Sequence, residues 1–364
     1  MEKLKFKSVL SGNRYSSNLV LPDFERENGK FSRGKTLYKI LCEEYGVIDE
    51  NGVTVETKDV TDIDRDRSRC YSFCDKAKHF AIEFTVKKNG VGSSFVADIF
   101  VPTRIDKPNY FVHLDFVEPL PGKYCPVEEI LDGGFGLAHV YYNDVTKDDD
   151  NFSAGLAPVF CDRGNAYGAG KIAVWAYAAK IVGEYLINNK LATSDKLYVI
   201  GHSRLGKTAL LAAALYDIFA GCLVNCSGCS GAAISREIRG ETLKDITDRF
   251  PYWFTPNFKK YADREDDEEF DQHFLMASVA PRKVYIVAAS EDDWADAEAQ
   301  YLCAEAASAA YRELGLTGLA SLEKMPCAGE KNDEGEIKFF HRAGPHFLSR
   351  EDWGFYMDCI KSEK

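Results

Sequence analysis

The stretch Lys196–Leu215, KLYVIGHSRLGKTALLAAAL, decides how the chain is read. Leu197–Ile200 is a short apolar, β-rich run that Gly201 punctuates, and Lys207–Leu215 supplies helix formers with almost no polar interruption. An apolar strand, a tight turn over Gly201-His202-Ser203-Arg204-Leu205-Gly206 and a buried helix predict a nucleophile elbow. In that geometry a strained turn lifts one serine hydroxyl above the end of a parallel sheet. The helix N-terminus behind it offers backbone N–H groups and a partial positive charge to an oxyanion. Ser203 is therefore the candidate nucleophile. The turn departs from G-x-S-x-G, because position 205 is Leu and the second glycine arrives at 206. The alternative is an ordinary strand-to-helix turn in which the Ser203 hydroxyl caps the helix.

The surrounding sequence places this turn in a large α/β domain. His79–Val86 and Ser94–Val101 alternate apolar and polar residues around Asn89-Gly90, the signature of a β-hairpin. Strands are expected at Tyr110–Leu114, Gly136–Tyr142, Cys222–Cys226 and Lys283–Ala289, with a last one at Ser321–Met325 or Ile337–Phe340. Helical segments are expected at Val127–Leu131, Ala166–Asn188 and Ala295–Leu314, the last stopping at Gly315. A hairpin followed by strands alternating with helices predicts a mostly parallel sheet covered on both faces. That is the α/β-hydrolase fold, a three-layer sandwich. One domain over residues 1–364 suffices, with 1–78 a decorated N-terminal segment and 235–271 an insertion near the active site. The acidic runs Lys147–Asp150 and Asp263–Asp271 read as solvated.

With 364 residues and 45% apolar side chains, the chain can bury a sizeable core. Aromatic residues reach 13%, as is common in carbohydrate-handling proteins, and the net charge of −12 argues against nucleic acid and anionic membranes as partners. The N-terminus lacks the apolar core of a secretory signal, and no run is long enough to cross a membrane. Eleven cysteines at irregular spacings read as free thiols, which favours a cytoplasmic location over a secreted one whose signal is missing. Cys226 and Cys229 have C-x-x-C spacing without a second pair at zinc-ribbon distance.

In an α/β-hydrolase the triad runs Ser, acid, His along the chain. Ser203 is followed by acids just past the strand at 283–289 and then by His341 or His346, of which His346, in a Gly-Pro-flanked loop, is the better base. Asp292 and Asp293 suit the acid better than Glu291, or than Asp296 inside the next helix. The histidines at 79, 113, 139, 202 and 273 read as satisfied structural residues. No cofactor or metal is required.

Gly201-His-Ser-Arg-Leu-Gly-Lys207 resembles the G-x-S-R-x-G-K signature of the glucuronoyl esterases, carbohydrate esterase family 15. The resemblance continues through Asn225-Cys-Ser-Gly-Cys-Ser-Gly-Ala-Ala, Gly240-Glu241, Phe250-Pro-Tyr-Trp-Phe254, Asp271-Gln-His273, Ala280-Pro-Arg282 and Asp292-Asp-Trp-Ala-Asp296. It ends with Gly344-Pro-His346 and Glu351-Asp-Trp353, so it runs from about residue 80 to the C-terminus. It implies a serine esterase acting on the ester between 4-O-methyl-glucuronoyl groups of xylan and an alcohol such as those of lignin. Ser203, His346 and Asp292 would form the triad, and Arg204 would add a cationic donor for the oxyanion. Lys207 and Glu241 would bind sugar hydroxyls, with Trp294 as an apolar wall. Fungal members carry their acid, a glutamate, where Cys226 stands, whereas bacterial members resemble this chain in using the D-x-W-A-D motif. His202 replaces a fungal cysteine, which excludes a disulfide beside the nucleophile. An acetyl or other carbohydrate esterase on the same scaffold is the alternative, and a silent carbohydrate-binding relative a lesser one.

Overall fold

In the computed structural model, which describes the chain except for residues 1, 6, 11–13, 17–18, 63–65, 67–74, 118–123 and 364, ten strands form one sheet. They are β1 (Thr54–Asp59), β2 (Ala77–Lys88), β3 (Val91–Pro102), β4 (Tyr110–Asp115), β5 (Gly136–Tyr141), β6 (Leu197–His202), β7 (Gly221–Asn225), β8 (Lys283–Ala289), β9 (Lys331–Asn332) and β10 (Ile337–Arg342). Their spatial order is β9-β10-β8-β7-β6-β4-β5-β3-β2-β1. The interior strands β4 to β8 and β10 run parallel, while β1, β2, β3 and β9 pair antiparallel at the two edges. This is the α/β-hydrolase fold.

The helices that matter here are α1 (Arg33–Ile40), α2 (Val127–Asp132), α3 (Lys171–Asn188), α4 (Arg204–Leu215), α5 (Leu243–Arg249), α6 (Ala297–Glu313) and α7 (Arg350–Ser362). Alternate residues of each interior strand feed two separate cores. Val112, Val199 and Val224 pack with α3, α4 and α6 on one face; Phe111, Ile200 and Leu223 pack with α2 and α7 on the other. Strands covered on both faces carry near-continuous apolar runs, which is why Lys283–Ala289 was so easily legible. Asn89 and Gly90 have φ of 51° and 81°, the left-handed pair that a two-residue hairpin turn requires.

The last strand is Ile337–Arg342, whereas Ser321–Met325 forms none. Two elements carried too little pattern to be anticipated. Strand β1, TVETKD, is exposed along its whole length at the sheet edge, so no alternation marks it. Helix α1 lies within the entry segment, from which Tyr15, Leu21, Phe24, Ile40, Leu41 and Tyr45 join the main core. The segment DVTDIDRDR at 59–67, a mixed-charge stretch of the entry segment, lies partly outside the described residues. No helix among the described residues is long and apolar enough to cross a membrane. Nine described cysteines are free; six are buried, Cys42 and Cys161 are half-buried, and Cys327 is exposed.

Candidate active site

Ser203 sits between β6 and α4 with φ 57° and ψ −126°, a strained conformation for a residue with a side chain. Its hydroxyl makes no cap hydrogen bond to the helix. The capping alternative therefore fails, in contrast to Thr242 and Ser349, whose hydroxyls do cap α5 and α7. Tertiary contacts hold the strain: Ser203 N–H donates to the Asn225 carbonyl at 2.8 Å, across to the end of β7. A side chain at Gly201 would overlap the Leu205 carbonyl, and one at Gly206 would come within 3.0 Å of the Asn225 carbonyl. The late glycine is thus where α4 presses on β7, and Leu205 is free to be large. Its side chain is fully buried, so its truncation to Ala would cost about 2–5 kcal/mol.

His346 and Asp292 meet beside this turn. His346 Nδ1 lies 2.6 Å from Asp292 Oδ2; Asp292 is buried, and the imidazole is 40% exposed. Asp293 is exposed, while Asp296 N-caps α6 and pairs with Arg14 at 2.6 Å. Asp296 is therefore at the helix's entry rather than inside it. His341 bonds the Pro326 carbonyl at 2.9 Å. The His346 ring packs on His202, with centroids 4.4 Å apart. His202 is held by Asn225 at 2.6 Å and is kept neutral by burial and by His346, its pKa pushed down to about 3.

Two residues outside the expected set shape the histidine loop. The guanidinium of Arg342 donates to the carbonyls of Ala343, Pro345 and Phe347 at 2.9, 2.7 and 3.0 Å, so the loop carrying His346 wraps around it. Its Nε also pairs with Asp352 at 2.8 Å, and Asp352 accepts from Asn225 at 3.1 Å. Nucleophile turn and base loop are thereby tied to one buried network. Asp352 lies inside the Glu351-Asp-Trp353 motif and Arg342 stands two residues before Gly344-Pro-His346, but nothing local distinguished either from a surface charge.

Arg204 lies under three rings, its guanidinium 5.4, 5.6 and 5.0 Å from the centroids of Phe116, Phe250 and Trp253. It pairs with Asp148, which also accepts from Tyr142 Oη at 3.1 Å and Trp253 Nε1 at 2.7 Å. The expectation of a solvated run at 147–150 fails for Asp148, which anchors the arginine. Phe250 and Trp253 stack at 4.0 Å, so the aromatic Phe250–Phe254 segment is the wall of the arginine cage. The run 263–271 is likewise not wholly solvated. Glu268 and Asp271 are buried, and Arg236 pairs with Asp271 at 2.9 Å.

The three expected sugar-site residues are neighbours. Lys207 Nζ lies 3.8 Å from Glu241 Oε2, both buried, and Glu241 N–H donates to the Trp294 carbonyl at 2.9 Å. Trp294 is 43% exposed, with Arg249 stacked on its ring at 4.8 Å. Lys207 also donates to the Ser227 and Cys229 carbonyls at 2.5 Å each, holding the turn after β7. An ammonium has three N–H groups, so this leaves one for Glu241 or a ligand. Cys226 stands beside Asp292 and His346, and burial with the Asp292 charge raises its thiol pKa, so it is no acid partner for the base.

A family model described as glucuronyl esterase, fungi, matches residues 84–315. The chain belongs to the glucuronyl esterase family. A carbohydrate esterase of an unknown prokaryotic organism is 38% identical over 236 residues, which are 64% of this chain and 54% of that protein. A 4-O-methyl-glucuronoyl methylesterase of Podospora anserina is 28% identical over 192 residues, 50% of this chain and 40% of its own. The chain thus spans about half the length of the curated relatives it matches. Among solved structures, a glucuronoyl esterase from Solibacter usitatus superposes with a TM-score of 0.80 at 28% identity, covering 90% of this chain and 91% of the other. A carbohydrate esterase family 15 enzyme from the marine bacterial metagenome, described as promiscuous, gives 0.79 at 25% identity over 96% and 99%.

Proposed function

We propose that the protein is a serine esterase that hydrolyses esters of glucuronic acid, in the manner of the 4-O-methyl-glucuronoyl methylesterases among its relatives. The single observation that carries this reading is the Asp292–His346 contact at 2.6 Å beside the strained Ser203 turn. Asp292 accepts from Nδ1–H, which leaves Nε2 as the basic nitrogen. Nε2 takes the Ser203 proton as Oγ bonds to the ester carbonyl carbon. The tetrahedral oxyanion is met by amides at the start of α4 and by the cationic, multi-donor guanidinium of Arg204. Collapse breaks the bond to the alcohol, which leaves with the proton from His346. Water, deprotonated by the same imidazole, then releases the uronic acid and restores Ser203.

Glu241 and Lys207 would receive the sugar hydroxyls, and Trp294 would form the exposed wall of that subsite. Residues 1–364 act as one domain in this reading, with 1–78 contributing an edge and 235–271 supplying the aromatic cage. The cytoplasmic expectation draws no support from the relatives, and a polymeric xylan ester is met outside a cell. The promiscuity stated for the marine metagenome enzyme keeps other carbohydrate esters as a second reading. Hydrolysis of benzyl glucuronate, lost in Ser203→Ala, tests the proposal.

A further inference from the structure

His113, Asp115 and His139 are gathered on one face of the sheet, near the C-terminal ends of two adjacent parallel strands. Residues 113 and 115 alternate onto the same face of β4, and the register sets His113 opposite His139 of β5. All three are buried at 1% exposure. Asp115 Oδ2 lies 3.2 Å from His139 Nε2 and 3.8 Å from His113 Nδ1, and one ligand atom from each residue falls within 4.8 Å of the others. The second Asp115 oxygen is already used, accepting the Phe116 N–H at 2.6 Å.

His113 is the feature that a purely structural cluster leaves unexplained. The other expected structural histidines have partners: His79 with Asp98, His202 with Asn225, His273 with the Pro22 carbonyl. Neither ring nitrogen of His113 has a hydrogen-bond partner, although the ring is enclosed, with Trp353 edge-on at 5.2 Å. An enclosed imidazole with both nitrogens unpaired is costly, and an ion or a water is what relieves such a site.

We propose that His113, Asp115 and His139 bind a divalent first-row transition metal of the Zn²⁺ type as a structural site. Two imidazoles and one carboxylate are donors that Zn²⁺ takes, and donors in a tetrahedral shell stand about 3.3 Å apart. The separations of 3.2 and 3.8 Å to Asp115 bracket that value. A water completes the shell. The ion would pin the end of β4, where the next residue, Phe116, lies over the Arg204 guanidinium at 5.4 Å. It would not touch the reacting atoms, so the inference stands or falls independently of the esterase reading.

The test uses the whole protein, stripped by chelator and then dialysed against Zn²⁺ or Co²⁺. Expected are about one bound equivalent, a Tm raised by the metal, and visible d–d bands of tetrahedral Co²⁺ without a thiolate charge-transfer band. His139→Ala and His113→Gln should weaken binding by about tenfold or more. His346→Ala, which dismantles the Cys226–Asp292–His346 cluster, should leave metal binding intact. Folded wild-type protein that takes up no stoichiometric metal would overturn the proposal. So would binding that is lost in His346→Ala, or a thiolate-to-cobalt band, which places the ion at Cys226. The wild-type spectrum decides even where a variant fails to fold.

Discussion

His346 Nδ1 and Asp292 Oδ2 lie 2.6 Å apart although 54 residues separate them in sequence. Two short links align their loops: Glu291 N–H donates to the Gly344 carbonyl, and Ser290 N–H to the Arg342 carbonyl, both at 2.9 Å. The carboxylate is buried and the ring is partly open, as the proposed roles of orienting acid and base require.

Asp292 and Asp293 are adjacent in sequence but only the first is buried against the imidazole. Asp292→Asn should lower kcat by about 10⁴-fold by presenting the wrong tautomer, while Asp293→Asn should stay within a few-fold. Steady-state kinetics on a glucuronate ester compare them; a mild Asp292→Asn with a damaging Asp293→Asn would reassign the acid.

Asp148 pairs with Arg204, whose guanidinium also lies against the Phe250 and Trp253 rings. Arg204→Met should lower kcat by about 10²–10³-fold, the usual effect of losing one oxyanion donor. Asp148→Asn should lower kcat less than Arg204→Met and leave KM nearly unchanged. Equal kcat in wild type and Arg204→Met would remove the arginine from the oxyanion site.

Lys207 is buried between two carbonyls and Glu241. Lys207→Met should destabilise the fold by about 3–5 kcal/mol, because it strands a buried carboxylate and two acceptors. Denaturant unfolding measures this. A variant as stable as wild type would mean that Lys207 serves only the substrate.

His273 is buried, and desolvation pushes its pKa down to about 4 against the pull of Asp271 and a hydrogen bond to the Pro22 carbonyl; Arg236 and Asp23 also face it. The unfolded ring titrates near 6.5. As pH falls the unfolded state takes up this proton first, so the contribution is complete above about 6.5 and is lost down to about 4. The stability difference between wild type and His273→Gln should shrink by about 3 kcal/mol across that window. A pH-independent difference would contradict the neutral buried ring.

The sheet was legible because its interior strands are covered on both faces and therefore apolar throughout. The edge strand Thr54–Asp59 was not, since an exposed edge needs no apolar residue. Ser203, Asp292 and His346 stood out by order and by strand-end position. The long-range partners did not: Asp148 sat in what looked like a hydrated acidic run, and Arg342 and Asp352 looked like ordinary charges. Local sequence records that a charge exists but not which distant group folds over it. Leu205, irregular for an elbow, is explained only by the contact of Gly206 with the end of β7.

The most direct measurement compares kcat/KM for benzyl glucuronate and for acetylated xylan in wild type and Ser203→Ala. Expected is turnover of the glucuronate ester well above that of the acetyl ester, abolished by Ser203→Ala. Turnover of acetyl groups alone, or glucuronate hydrolysis that survives Ser203→Ala, would contradict the proposed function.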